Sequence, residues 1–146
     1  MDRGVHIFWK AAQKDRDQFA QTPQEFMEWM ERTYGKFDFD PCPANPDFDG
    51  LSCDWGNNNY VNPPYNNLKP WLNKAITEWR KGKQVVFLMP NRIHSKYFLQ
   101  AVHPWNYPGG IELYVIPGGI KFKDYKVRAP FGMIYLLMPA SSSCQI

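Results

Sequence analysis

The stretch Gln84-Val-Val-Phe-Leu-Met-Pro90 constrains this chain most. Val85 to Met89 are all apolar, with no alternation. A strand with one wet face alternates apolar and polar residues, whereas an unbroken apolar run between turn residues reads as a strand covered on both faces. Gly82 precedes this run and Pro90 closes it. Such a strand needs a sheet around it and a layer on each side.

Two segments have the pattern to supply those layers. Residues 22–35 read TPQEFMEWMERTYG. Thr22 suits an N-cap, Pro23 the first helical position, and Glu25 the third residue of a capping box. Phe26, Met27, Met30 and Tyr34 recur at helical spacing, and Gly35 ends the run. Residues 68–82 place Leu68, Trp71, Leu72, Ala75, Ile76 and Trp79 on one stripe. The periodicity therefore predicts helices over 22–35 and 68–82, with Trp71 and Trp79 in the core. A shorter helix is expected in HSKYFLQAV, with His94 and His103 at the surface or at helix ends.

The remaining strands are shorter. KFDFDPCP (36–43) alternates and then stops at Pro41 and Pro43, and NYV precedes Asn62. IELYVI, GIKF and FGMIYLLM follow the central run. Residues 44–59 are rich in Asn, Asp and Gly and read as loop, with room for a short strand near Leu51 to Asp54. Strand and helix alternate first and strands cluster later, which predicts an α/β fold with a mostly parallel central sheet and an antiparallel C-terminal part. The 146 residues suit a single domain spanning 1–146, with 1–20 as a possible N-terminal arm and 140–146 as a flexible tail.

Composition narrows the function classes. No apolar run approaches a membrane span, and the start of the chain is not a signal peptide. Three cysteines without a CxxC argue against a disulfide framework or a zinc site. Reduced thiols fit a cytoplasmic protein. The net charge of +3 tolerates a polyanionic partner without demanding one. Aromatics make up 16% of residues, enough for a core and for base-stacking surfaces.

Residues 60–65, YVNPPY, carry the most specific chemistry. Proline fixes its own φ, removes a donor, and holds the preceding residue extended. Asn62, Pro63 and Pro64 thus form a stiff row of acceptors at a strand end, and Tyr65 adds a flat ring whose face is the expected working part. That suits a planar molecule bearing an amino group. In an open α/β sheet, ligands bind beyond the carboxyl ends of the strands. Asp40-Pro41-Cys42-Pro43, Asp54-Trp55 with Asn62–Tyr65 beyond, and Asn91-Arg92 are the polar clusters expected there.

The ordered set TPQEF, FDFDPCP, DGLSCDW, YVNPPY, VVFLMPNR, GGIKF and APFGMIYLLM, from Thr22 to Met138, resembles the short phage-type DNA N6-adenine methyltransferases, the Dam-like family. The resemblance implies a reduced Rossmann-like methyltransferase fold and S-adenosylmethionine as cofactor. It implies double-stranded DNA as substrate, a phage-encoded protein in a host cytoplasm, and no metal. A flipped adenine would stack on Tyr65 while its N6 amino group donates to Asn62 and the Pro63 carbonyl, with Pro64 stiffening the loop. Asp40, Pro41 and Cys42 would line the methionine part of the cofactor, Asp54 and Trp55 would sit near its adenosine, and Thr22 would lie close by. DNA contacts would come from Asn66, Lys69, Arg92, Lys96, Lys121, Lys123, Lys126 and Arg128.

The chain departs from the usual methyltransferase pattern in the segment after Asp40. It has no closely spaced glycines, and Asp47 or Asp49 would have to serve as the ribose-binding acid. A nucleic-acid or nucleotide-binding relative without turnover remains an alternative. So does transfer to another amino group, in cytosine, RNA or protein.

Overall fold

A computed structural model describes residues 23–116 and 132–141. The expected GIKF strand, Thr22, the arm and most of the tail lie outside them. Helix α1 spans Pro23–Tyr34, α2 spans Leu68–Trp79 and α3 spans Lys96–Val102. The strands are β1 (Asn58–Val61), β2 (Gln84–Pro90), β3 (Glu112–Ile116) and β4 (Met133–Met138). The three helices and four of the strands thus fall where the sequence pattern puts them. Gly35 closes α1 at φ +92°, a left-handed cap that glycine adopts without strain.

The sheet order is β1-β2-β4-β3. As the apolar run requires, β2 lies inside, with Val85 to Met89 all buried. Val85, Phe87 and Met89 join the α2 and α3 side with Trp71, Leu72, Phe98 and Val102. Val86 and Leu88 join the α1 side with Phe26, Trp29 and Met30. Alternate residues of one strand thus serve two cores, because strand side chains alternate faces. Each such Leu or Phe contributes roughly 1.5–3 kcal/mol by leaving water.

The sheet is more antiparallel than the sequence suggested. Among the described residues β1 and β2 pair parallel, while β4 runs antiparallel to both β2 and β3. The chain leaves β3 and enters β4 at the same end, so β4 must run back. The expected strand in residues 36–43 shrinks to one parallel bridge, Phe39 to Asn59. Its neighbour Asp38 turns one carboxylate oxygen, Oδ1, to the backbone N–H groups of Asn57 and Asn58 at 3.1 and 3.2 Å, and prolines follow. No strand forms near Leu51. There Asp49 caps a turn instead, accepting from the Leu51 N–H at 3.0 Å and the Ser52 hydroxyl at 2.9 Å.

Candidate active site

The carboxyl end of the parallel pair gathers two of the predicted clusters and the Asn62–Tyr65 half of the third. Val61 ends β1, and Asn62 to Tyr65 follow directly. The Phe39 carbonyl accepts the Tyr60 N–H at 3.2 Å, so the Phe39 segment runs alongside β1 and delivers Asp40 to the same end. Asn91 and Arg92 leave β2 there, with the Asn91 N–H donating to the Gly132 carbonyl at 2.9 Å.

Within the loop, Pro63 is buried and Pro64 is exposed, at φ −64° and ψ 127°. The Pro64 carbonyl accepts the Asn67 N–H at 3.1 Å, which turns the chain through residues 65–67 into α2. Asn62 and Tyr65 are half-buried. The Tyr65 hydroxyl donates to Asn62 Oδ1 at 2.9 Å. The hydroxyl, and not only the ring face, is therefore engaged. The ring packs against residues of both cores, so it stands at the seam where the sheet ends.

Along the edge of β1, on the α1 side, lies a cleft of about 340 Å³. Met27 and Glu31 of α1, the backbone run Phe37 to Asp40, and Tyr60 line it. Three carboxylates and three aromatic residues suit a ligand that is cationic and partly apolar. Asp40 Oδ1 accepts the Cys42 N–H at 2.9 Å. Partial burial pushes the Asp40 carboxyl up, against the pull of that hydrogen bond, although the residue as a whole stays exposed. Burial and then the Asp40 charge push the Cys42 thiol up, which keeps it a poor nucleophile. Burial, with Tyr65 and Asp40 nearby, raises the Tyr60 phenol.

Sequence reading singled out Asp40 but not Met27, Glu31, Phe37, Asp38 or Tyr60. One signal was present: Met27 and Glu31 are four apart, hence neighbours on one helix face.

Asp54 and Trp55 go elsewhere. They precede β1 and so lie at the amino end of the sheet. Trp55 is 5% exposed within the α2-side core, and its Nε1–H donates to the Gly50 carbonyl at 2.7 Å. Asp54 is exposed, 3.5 Å from Lys81. The strand itself separates this pair from Asn62. Pro41 is buried, with its carbonyl tight against Gly50, where a Cβ would sit 1.9 Å from the oxygen.

The described DNA candidates share the loop end. Asn66 is exposed in the turn before α2, Lys69 is exposed in the first turn of α2, and Lys96 is exposed in the first turn of α3. Arg92 is half-buried, and its carbonyl accepts from the Ser95 hydroxyl at 2.7 Å. Lys121, Lys123, Lys126 and Arg128 lie outside the described residues, between β3 and β4. No cluster of three or more His, Cys, Asp or Glu among the described residues could hold a metal. None of the described helices is long and apolar enough to cross a membrane.

No solved structure matches the chain. The DNA N-6-adenine-methyltransferase of Escherichia phage T1 is 28% identical over 92 residues, covering 55% of this chain and 39% of that relative. The chain thus spans about two fifths of the length of the curated relative it matches. A family model described as DNA N-6-adenine-methyltransferase (Dam) matches residues 10–122, well over half of the chain. That stretch contains Asp40, the Asn62–Tyr65 loop and β2, so the chain belongs to the Dam family of DNA N-6-adenine-methyltransferases.

Proposed function

We propose that this chain methylates adenine N6 in double-stranded DNA, using S-adenosylmethionine, on a reduced Rossmann-like scaffold. The observation that carries the reading is the Asn62–Tyr65 loop at the end of β1, the strand whose Tyr60 lines the acidic, aromatic cleft together with Asp40. Family membership supports the adenine reading, and the cleft supports the cofactor.

The cleft residues fit that cofactor by their chemistry. S-adenosylmethionine carries a sulfonium and an ammonium on a flexible chain. Asp40, Asp38 and Glu31 would hold those cations, while Phe37 and Tyr60 would cover apolar parts. When bound, the cofactor supplies a methyl group attached to positively charged sulfur. The protein's own part is alignment. Asn62 Oδ1 and the Pro63 carbonyl would accept from the adenine amino group and favour the positive charge that builds on nitrogen as it attacks. Tyr65 would stack on the extruded base, and Asn66, Lys69, Arg92 and Lys96 would meet phosphates.

A second reading, nucleic-acid binding without turnover, is favoured by one observation. Residues 41–54 form turns with neither strand nor helix, so the usual ribose-binding unit is reduced. Labelled S-adenosylmethionine with adenine-containing duplex separates the two. Label recovered as N6-methyladenine is the expected outcome. DNA binding without label favours the second reading, and label on cytosine, RNA or protein redirects the substrate.

A further inference from the structure

Resting on that reading, we infer that the Tyr65 hydroxyl is a positioning group that fixes which end of the Asn62 amide faces the substrate. The phenol is anchored: its ring packs against both cores, and it opens the turn that leads into α2. Its hydroxyl donates to Asn62 Oδ1 at 2.9 Å. The Asn62 backbone is stiffened by the prolines that follow, but its terminal amide torsion is soft and roughly two-fold. Without a partner the amide would present oxygen or nitrogen to the site with little preference.

An amide oxygen has two lone pairs. The hydroxyl takes one and leaves the other for an amino N–H. It also disfavours the flipped amide, because a phenolic oxygen is a weaker acceptor than an amide carbonyl and a bond from Nδ2–H to the hydroxyl would be the poorer of the two. The site is thereby set to accept a hydrogen bond and not to give one. A base with an amino group at the reacting position is favoured over the same ring with a keto oxygen there. Tyr65 thus contributes to selection of adenine over hypoxanthine through Asn62, without touching the distinguishing atom.

The test compares wild type with Tyr65→Phe, which keeps the ring and its packing. Methyl transfer to adenine duplex is measured with competition by the same duplex carrying hypoxanthine at the target. Loss of one hydrogen bond predicts a fall of about five- to ten-fold in kcat with KM nearly unchanged. The hypoxanthine duplex should compete better by a similar factor. A faster Tyr65→Phe enzyme would mean that the hydroxyl blocks the acceptor, and unchanged selectivity would mean that it does not orient it; either overturns the inference. The Asn62 side-chain amide resonances, assigned with Asn62→Asp, give a readout independent of turnover. In wild type they should lie away from the shifts of a solvated asparagine, and in Tyr65→Phe they should move toward them. If wild type transfers no methyl group, the functional reading fails by itself, and an amide signal indifferent to Tyr65→Phe then overturns the hold as well.

Discussion

The two ends of the sheet use polar side chains in opposite ways. At the amino end the bonds run across the chain as well as along it, from Glu78 to Trp55, Asn59 to Gln84 and Asn58 to Tyr34. Glu78 is fully buried in α2 and takes Lys74 and Lys81 at 2.9 Å, Lys83 at 2.5 Å and the Trp55 N–H at 3.2 Å. Asn59, also fully buried, donates to the Gly56 and Gln84 carbonyls and accepts the Gly56 N–H. Asn58 reaches the carbonyls of Tyr34, Gly35 and Lys36. At the carboxyl end the bonds are short-range: Cys42 to Asp40, Tyr65 to Asn62, Ile93 to Asn91, Ser95 to Arg92. Long-range saturation ties elements together. Local bonds fix a side chain's direction and leave acceptor capacity for a ligand.

If the amino end is structural, breaking Glu78 should give the largest effect. Glu78→Ala leaves lysines without their buried partner and should destabilise by about 3 kcal/mol in denaturant unfolding. Lys81 and its neighbours can turn partly to water, which keeps the loss at the low end. The folded fraction should retain its methyl transfer. Burial alone would raise the Glu78 carboxyl, but hydrogen bonds from Lys83, Lys74 and Lys81 and from the Trp55 N–H outweigh it and hold it at about 2, below its ordinary 4.5. A depressed folded value means stability present above the unfolded value and lost as protons bind the folded state. Stability should therefore fall between about pH 4.5 and 2, and Glu78→Gln should flatten that slope.

The carboxyl end should answer in activity instead. Asn62→Ala is expected to lower transfer by about a hundred-fold or more, the scale of one preorganised polar group, with melting temperature and cofactor affinity nearly unchanged. A comparable loss of stability would erase the distinction between the two ends.

Asp40→Ala should weaken S-adenosylmethionine binding about ten-fold in calorimetry, as one charge-assisted contact. Because burial already raises this carboxyl, wild-type affinity should begin to fall at a higher pH than an ordinary aspartate would cause. Equal affinity in the folded variant removes Asp40 from the cofactor site.

The smallest effect belongs to Arg92. Arg92→Ala should weaken duplex DNA binding a few-fold on every sequence alike and reduce the log-log salt slope by about one. A sequence-dependent loss would make Arg92 a base reader.

Much of this was legible in the chain alone. The unbroken run Val85 to Met89 required double burial, because a strand exposes one face to each side and neither could be wet. The stripe from Leu68 to Trp79 fixed α2, and the two prolines fixed a stiff turn after Val61. Each signal acts over a few residues, through side-chain period or a locked φ. Only the tertiary structure decided that β4 runs against β2, and that Asp54 and Trp55 sit a strand's length from Asn62. Tertiary structure alone also brought the Trp55 N–H to Glu78 and set Glu31 and Asp40 in the lining of one cleft. Those outcomes depend on which surfaces meet, often across tens of residues, and no local propensity encodes the meeting.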